Sequence, residues 1–197
     1  IIGFGTLFNN IFNKHEKKDN TTLDETKREL TGRELLITNG QSPIAVAGIM
    51  GGLNSAVTTE TKTVVIESAY FDPPTIRKGA KALNMSSDAS KRFERGTDIN
   101  ATESAFWMII KLLEKYAKGK WVPGIIDEYP QKYKLHKINV NRLKINSVAG
   151  IDIDDKFIET SLYGIGCILE KKNDMWICRP PSWRPDLTRE IDIVEEI

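Results

Sequence analysis

Glu67 is the residue whose type and setting ask most for a chemical explanation. It stands inside Val64-Val-Ile-Glu-Ser-Ala-Tyr-Phe71, an otherwise apolar run. A carboxylate there must face water, meet a donor or serve a site, because burying it unpartnered is costly. Two readings remain open on the pattern alone: the exposed face of a half-buried strand, or a group that reads a ligand. Gly48, Gly51 and Gly52 upstream permit left-handed backbone and close approach of a ligand, a weak signal taken alone. Ser86-Ser-Asp-Ala-Ser90 is small and polar, suited to a pocket wall, with helix capping as the alternative for Ser87 and Asp88. Lys91-Arg92-Phe-Glu-Arg95 either faces phosphate or is a solvated helix face.

A second constellation lies at the carboxy end, where Asp186 precedes Asp192, Glu195 and Glu196. At about 100° per residue the last three share one face of a helix, with Val194 and Ile197 on the other. Such carboxylates repel one another unless they are solvated, paired with bases, or bridged by a hard cation such as magnesium. Cys167 and Cys178 are too few for a disulfide framework and lack zinc-ligand spacing, so buried thiols in a reducing cytoplasm are expected.

The elements that must position these groups follow from the pattern. The 197 residues suffice for one large domain or two small ones, and no apolar run approaches a membrane span. The net charge of +1 divides into +2 for residues 1–133 and −1 for residues 134–197, which gives no global drive toward nucleic acid. The chain opens on Ile1-Ile2 without methionine and closes on Val194-Glu-Glu-Ile197 inside a helical pattern, as a segment of a longer protein would. His15-Glu-Lys-Lys-Asp19 and Asn20-Thr-Thr read as a solvated turn between strands.

Leu35-Leu-Ile37 and Ile44-Ala-Val-Ala47 read as strands joined by an Asn39-Gly40 turn, after which Gly48-Ile-Met-Gly-Gly52 is expected to break the sheet. Thr63-Val-Val-Ile66 and Ala69-Tyr-Phe71 read as one strand, ended by Asp72-Pro73-Pro74. Asn100-Ala-Thr-Glu103 resembles a capping box. The helix it opens should bury Ala105, Ile109, Leu112 and Tyr116, widened by Phe106 and Leu113, and stop at Gly119. Ile125-Ile126 suggests one more strand and Tyr129–Lys132 a linker. From Lys134 the order is a strand through Ile138 and Val140, a helix from Asn141 to Ala149, and a second helix capped by Asp154. A hairpin of Cys167–Leu169 and Met175–Cys178 follows, then a Pro180–Pro185 loop and a last helix from about Leu187. The expected class is α+β: a mixed or antiparallel-sheet domain over residues 1–133, then a small winged-helix-like α+β domain over residues 134–197.

Four motifs in this order, Ala47-Gly-Ile-Met-Gly-Gly52, Val64–Phe71, Ser87-Asp-Ala-Ser-Lys-Arg-Phe-Glu-Arg-Gly96 and Arg179-Pro-Pro-Ser-Trp-Arg-Pro-Asp186, resemble the beta chain of bacterial-type phenylalanyl-tRNA synthetases. The resemblance runs from about Leu23 to Ile197. It implies that residues 1–133 are an editing domain acting on tyrosine mischarged onto tRNA(Phe). Glu67 would read the tyrosine hydroxyl, with Gly51, Ser87 and Ala89 lining the pocket, Ser87 standing where the family has threonine. The family's upstream histidine has no match: Ile2 falls in its place, and His15 has a different context. The resemblance further assigns Asp186, Asp192, Glu195 and Glu196 to a magnesium ion shared with an alpha chain. It implies a cytoplasmic heterotetramer of two alpha and two beta chains that uses ATP elsewhere than on this segment. By itself the segment is expected to be at most an aminoacyl-ester hydrolase, and an inactive one. The rival readings are a nucleic-acid-binding module and a structural spacer whose pocket has decayed.

Overall fold

The computed structural model describes residues 19–129 and 132–197 and divides the chain into two units, Ile1–Gln131 and Lys132–Ile197. Helices and antiparallel sheets are mixed in it, which makes the class α+β as expected.

The first unit begins with a hairpin of β1 (Asp19–Thr21) and β2 (Lys27–Glu29). Its turn is tied by Asp24, which accepts from Thr22 Oγ1 and from Arg28; these bonds hold its carboxyl at about 2. Next comes an antiparallel sheet in the order β3 (Leu36–Thr38), β4 (Pro43–Val46), β5 (Met50–Gly51). The expected Asn39-Gly40 turn joins β3 to β4, with Asn39 Oδ1 accepting from the Gln41 and Ser42 amides at 3.0 and 2.9 Å. Contrary to the pattern, the glycine-rich stretch does not break the sheet. Gly48, at φ +65°, turns the chain back sharply enough for the Ile49 amide to reach the Val46 carbonyl, and β5 then pairs with β4. A bridge between Thr22 and Gly52 links the two sheets.

Further expectations fail in this unit. Residues 63–71 form no strand and join no sheet among the described residues, and Val64 and Val65 are exposed. Apolar alternation supplies a tendency, but a strand exists only where a neighbour accepts its ladder. The Asp-Pro-Pro signal opens a helix rather than merely ending a strand. Asp72 caps α1 (Pro73–Ala82), accepting from the Thr75 amide and hydroxyl at 3.0 and 2.6 Å, and Pro73 takes the first helical position, where no amide bond is lost. Ile76, Gly79 and Ala80 of α1 pack with Leu30, Val46, Ile49 and Leu83 to make the core.

After α2 (Asp88–Phe93), Asp98 caps a single 3-10 turn at Ile99–Ala101, and α3 (Thr102–Ala117) starts later than the capping-box reading placed it. The helix buries Phe106 and Ile110, not the expected stripe: Ile109, Leu112 and Tyr116 are exposed. Trp107, Met108 and Ile109 make this helix apolar nearly all round, so periodicity alone cannot choose its inward face. Phe106, Trp107 and Trp121 form an aromatic triangle with centroids 5.2–5.6 Å apart. Ile125 and Ile126, expected as a strand, are exposed and irregular.

The second unit follows its pattern closely. β6 (Ile138–Asn141) leads into α4 (Arg142–Ala149), capped by Asn141 and closed by left-handed Gly150; Asp154 caps α5 (Asp155–Gly164). β7 (Ile168–Lys172) and β8 (Met175–Arg179) form the hairpin, and β6 adds to β8, giving an antiparallel sheet in the order β6-β8-β7. The last helix, α6 (Glu190–Val194), begins three residues later than the sequence suggested. Trp176, Ile145, Ile158, Leu162 and Ile193 are fully buried together, and the Trp176 indole donates to Glu159 at 3.0 Å. Cys167 and Cys178 lie in this core as free thiols, both pushed up by burial.

Gly48 provides a test of the first unit's packing. A Cβ built there lies 2.9 Å from both Ile76 Cδ1 and Phe71 Cδ2, in a conformation that L residues adopt at a cost. Gly48→Ala is expected to destabilise the unit by about 1–3 kcal/mol in denaturant melts. Gly32→Ala, at φ +80° with nothing within 4 Å, should show the backbone component alone.

Candidate functional site

The site is assembled from three segments distant in sequence. Ser87 is the cap of α2: its hydroxyl accepts from the Ser90 amide at 3.0 Å, while the Ser90 hydroxyl accepts from the Ser87 amide at 2.9 Å. The Ser87 hydroxyl also donates to the Ile49 carbonyl at 2.6 Å, which fastens α2 to the chain two residues before Gly51. Phe93, at the other end of α2, meets Phe71 edge-on at 5.0 Å, and both rings close over Gly48. Ser68 donates to the Thr102 carbonyl at 2.6 Å. Glu67 therefore stands just ahead of two anchors, Ser68 beside it and Phe71 four residues on.

Glu67 has an unusual environment. Among the described residues no donor reaches its carboxylate, yet the protein gathered around it raises its pKa by desolvation. By surface area it is exposed. The carboxylate is open to water at its surface, while the protein around it disfavours its charged form. A carboxylate that no donor reaches among the described residues is one a ligand's donor can engage.

The other expected pocket residues are placed as follows. Gly51 ends β5, and a Cβ there would lie 2.9 Å from Leu23 Cδ1, so the glycine makes room for Leu23. Ala89 is exposed in the first turn of α2. Ser87 is half-buried with its hydroxyl committed to capping and to Ile49, which makes it a positioning residue. Ile2 and His15 lie outside the described residues. The sequence marks Gly48 for left-handed backbone and close approach, as found, but gives no sign that Phe71 and Phe93 are what lies over it.

In the second unit the four acidic residues are met mainly by arginines. Arg184 meets Asp186 through two nitrogens, at 2.9 and 2.6 Å, and reaches Glu196 at 2.5 Å; this holds the Asp186 carboxyl below its usual range. Asp192 accepts from the Arg189 guanidinium at 2.7 Å and from the Thr188 and Arg189 amides at 3.1 and 2.8 Å, so it too is strongly acidic. Glu195 is exposed. Among the described residues no group of three or more His, Cys, Asp or Glu is arranged to hold a metal ion. As arranged within this chain, the acidic segment does not fit magnesium, because the arginines already satisfy the oxygens the ion would need.

Residues 9–118 match the B3/4 domain family. The chain belongs to that family. Beyond this B3/4 unit, residues 138–197 match the tRNA synthetase B5 domain. Similar curated proteins span both domains. The phenylalanine–tRNA ligase beta subunit of Salinibacter ruber is 41% identical over 177 residues, covering 90% of this chain and 21% of that protein. That of Thermotoga maritima is 40% identical over 175 residues, 89% of this chain and 22% of that protein. That of Staphylococcus aureus is 37% identical over 183 residues, 93% of this chain and 23% of that protein. The chain thus spans about a fifth of the length of the relatives it matches. Among the described residues no helix is long and apolar enough to cross a membrane.

The doubly bonded Ser87 hydroxyl can be tested within the B3/4 unit. Ser87→Ala is expected to cost about 0.5–2 kcal/mol of stability in denaturant melts, the range for a lost cap. Ser87→Thr should retain both bonds and stay near the parent value.

Proposed function

We propose that this chain is the editing segment, with the B5 domain that follows it, of a phenylalanine–tRNA ligase beta subunit, and that the B3/4 unit clears tyrosine wrongly esterified to tRNA(Phe). The observation that carries this reading is Glu67, a carboxylate that no donor reaches among the described residues and that adjoins the Ser68 and Phe71 anchors. Tyrosine differs from phenylalanine by one hydroxyl. An apolar pocket rejects such an addition weakly, whereas a buried acceptor that needs that hydroxyl selects for it. Glu67 accepts the phenol proton in a hydrogen bond, Gly51 and Ala89 keep the walls small, and Ser87 fixes α2 relative to the Ile49–Gly51 chain. A water held in the pocket, positioned in part by the terminal ribose hydroxyl, attacks the ester carbonyl. The carbon–oxygen bond to the ribose breaks, the ribose oxygen takes up a proton, and free tyrosine and uncharged tRNA leave.

In the same reading the whole protein is an ATP-dependent ligase in the cytoplasm, a heterotetramer of two alpha and two beta chains. Aminoacylation takes place on the alpha chain, and ATP is not bound on this segment. The acidic segment of the B5 unit, Asp186, Asp192, Glu195 and Glu196, is proposed to face the alpha chain. Magnesium shared there would require Arg184 and Arg189 to release their carboxylates, and no step of the editing reaction depends on it.

Deacylation of tyrosyl-tRNA(Phe) and phenylalanyl-tRNA(Phe) by the intact alpha–beta enzyme tests the reading. Glu67→Ala and Glu67→Gln are expected to lower the preference for tyrosine by about tenfold to a hundredfold, the value of a hydrogen bond to a charged group. The parent preference should also weaken as pH falls through the raised Glu67 pKa, since the protonated carboxyl is a poorer acceptor. An unchanged preference in both variants would falsify the role of Glu67.

A further inference from the structure

Two stretches carry excess positive charge, residues 73–96 and residues 129–151, and the first lies on two packed helices of the B3/4 unit. Residues 73–96 hold six basic and two acidic side chains, a net charge of +4 in a chain whose total is +1, so the remainder is net negative. The six are Arg77, Lys78 and Lys81 on α1, Lys91 and Arg92 on α2, and Arg95 just beyond, and all are exposed.

Their placement is ordered by the fold. At about 100° per residue, Arg77, Lys78 and Lys81 share the side of α1 opposite the buried Ile76, Gly79 and Ala80. Lys91 and Arg92 share the side of α2 away from Ser90 and Phe93, which face the core. Arg77 donates to the Glu94 carbonyl at 2.8 Å and so joins the basic face of α1 to the carboxy end of α2. The other five cations form no ion pair among the described residues. Unneutralised like charges on two packed helices repel one another, and a polyanion lying across them relieves that repulsion while releasing its own counterions.

We propose that the α1–α2 basic face binds the phosphate backbone of RNA, guiding the acceptor end of the tRNA into the editing pocket. The inference rests on the editing reading and adds to it the element that holds the strand. The same short helix, roughly 9 Å long, carries Ala89, a residue of the proposed pocket, in its first turn and Lys91 and Arg92 in the turn that follows. A strand whose terminal ester reaches Ala89 brings its preceding phosphates close to this helix. Phosphate interactions of this kind position the strand and read no sequence.

The test uses the intact alpha–beta enzyme with four charge-removing substitutions together, Lys78→Gln, Lys81→Gln, Lys91→Gln and Arg92→Gln. Glutamine keeps the helix propensity of the residues it replaces. A second enzyme carries four in the same unit away from this face, Lys111→Gln, Lys115→Gln, Lys118→Gln and Lys120→Gln. In the first, KM for tyrosyl-tRNA(Phe) deacylation is expected to rise about tenfold or more, with kcat and the tyrosine preference near the parent values. The slope of log KM against log salt should fall by about 0.7–0.9 for each phosphate that the enzyme no longer neutralises. The charge-preserving set Lys78→Arg, Lys81→Arg, Lys91→Arg and Arg92→Lys should retain the parent KM. Should the parent enzyme prove unable to deacylate, which sinks the editing reading and not this one, the affinity for uncharged tRNA(Phe) replaces KM with the same expected loss. The proposal is overturned by an unchanged KM and salt slope, by equal losses in the α3-side set, or by loss in the charge-preserving set. Release of the alpha chain by the first set also overturns it, in favour of a protein partner.

Discussion

The Ser87 hydroxyl donates to the Ile49 carbonyl and accepts from the Ser90 amide, and the geometry of the candidate site follows from where these bonds leave α2. Fixing the amino end of the helix against the Gly48–Gly51 chain leaves its other end, Phe93, to close with Phe71 over a glycine that no side chain can replace without displacing its neighbours. Phe71 in turn sets the end of the segment that carries Glu67. A small polar cap, a left-handed glycine and an aromatic pair therefore determine where an isolated carboxylate stands, although none of them needs to touch a substrate.

The two acidic regions show how differently carboxylates are held when they serve structure and when they are left for a ligand. Asp186, Asp192 and Glu196 are met by arginines or backbone amides, and the two aspartates are driven toward stronger acidity. Glu67 meets no donor among the described residues and is driven the other way by desolvation. Opposite shifts arise because the first group is stabilised in its charged form and the second is not. The sequence shows four acids at the carboxy end and one in an apolar run; only the surroundings show that three of the four are already paired and that the single acid is not.

Legibility followed the range of the interactions involved. In the B5 unit the caps Asn141 and Asp154, the closing Gly150 and the turn between β7 and β8 are local signals, and each element stands where its signal put it. The Asn39-Gly40 turn was legible for the same reason. Residues 63–71 carry a strand pattern without a partner among the described residues, and that partner is not a property of the segment itself. Asp72-Pro-Pro was read for the prolines and not for the aspartate, so α1 was missed; an aspartate before proline at a first helical position is a start signal as well as a stop. The inward face of α3 was misjudged because apolar residues surround the helix. Of the site, Glu67 and the Ser87 cap could be picked out from residue type, but the packing of Phe71, Phe93 and Ile76 around Gly48 joins three distant segments and left no local trace.

A site in which Glu67 accepts a phenol hydroxyl must hold tyrosine more tightly than phenylalanine. Calorimetric titration of the intact alpha–beta enzyme with non-hydrolysable 3′-amide analogues of tyrosyl-adenosine and phenylalanyl-adenosine tests this most directly, under conditions where the aminoacylation site is blocked. The tyrosyl analogue is expected to bind at least about tenfold more tightly, as a hydrogen bond to a charged acceptor requires. Equal affinity for the two analogues would contradict that role for Glu67.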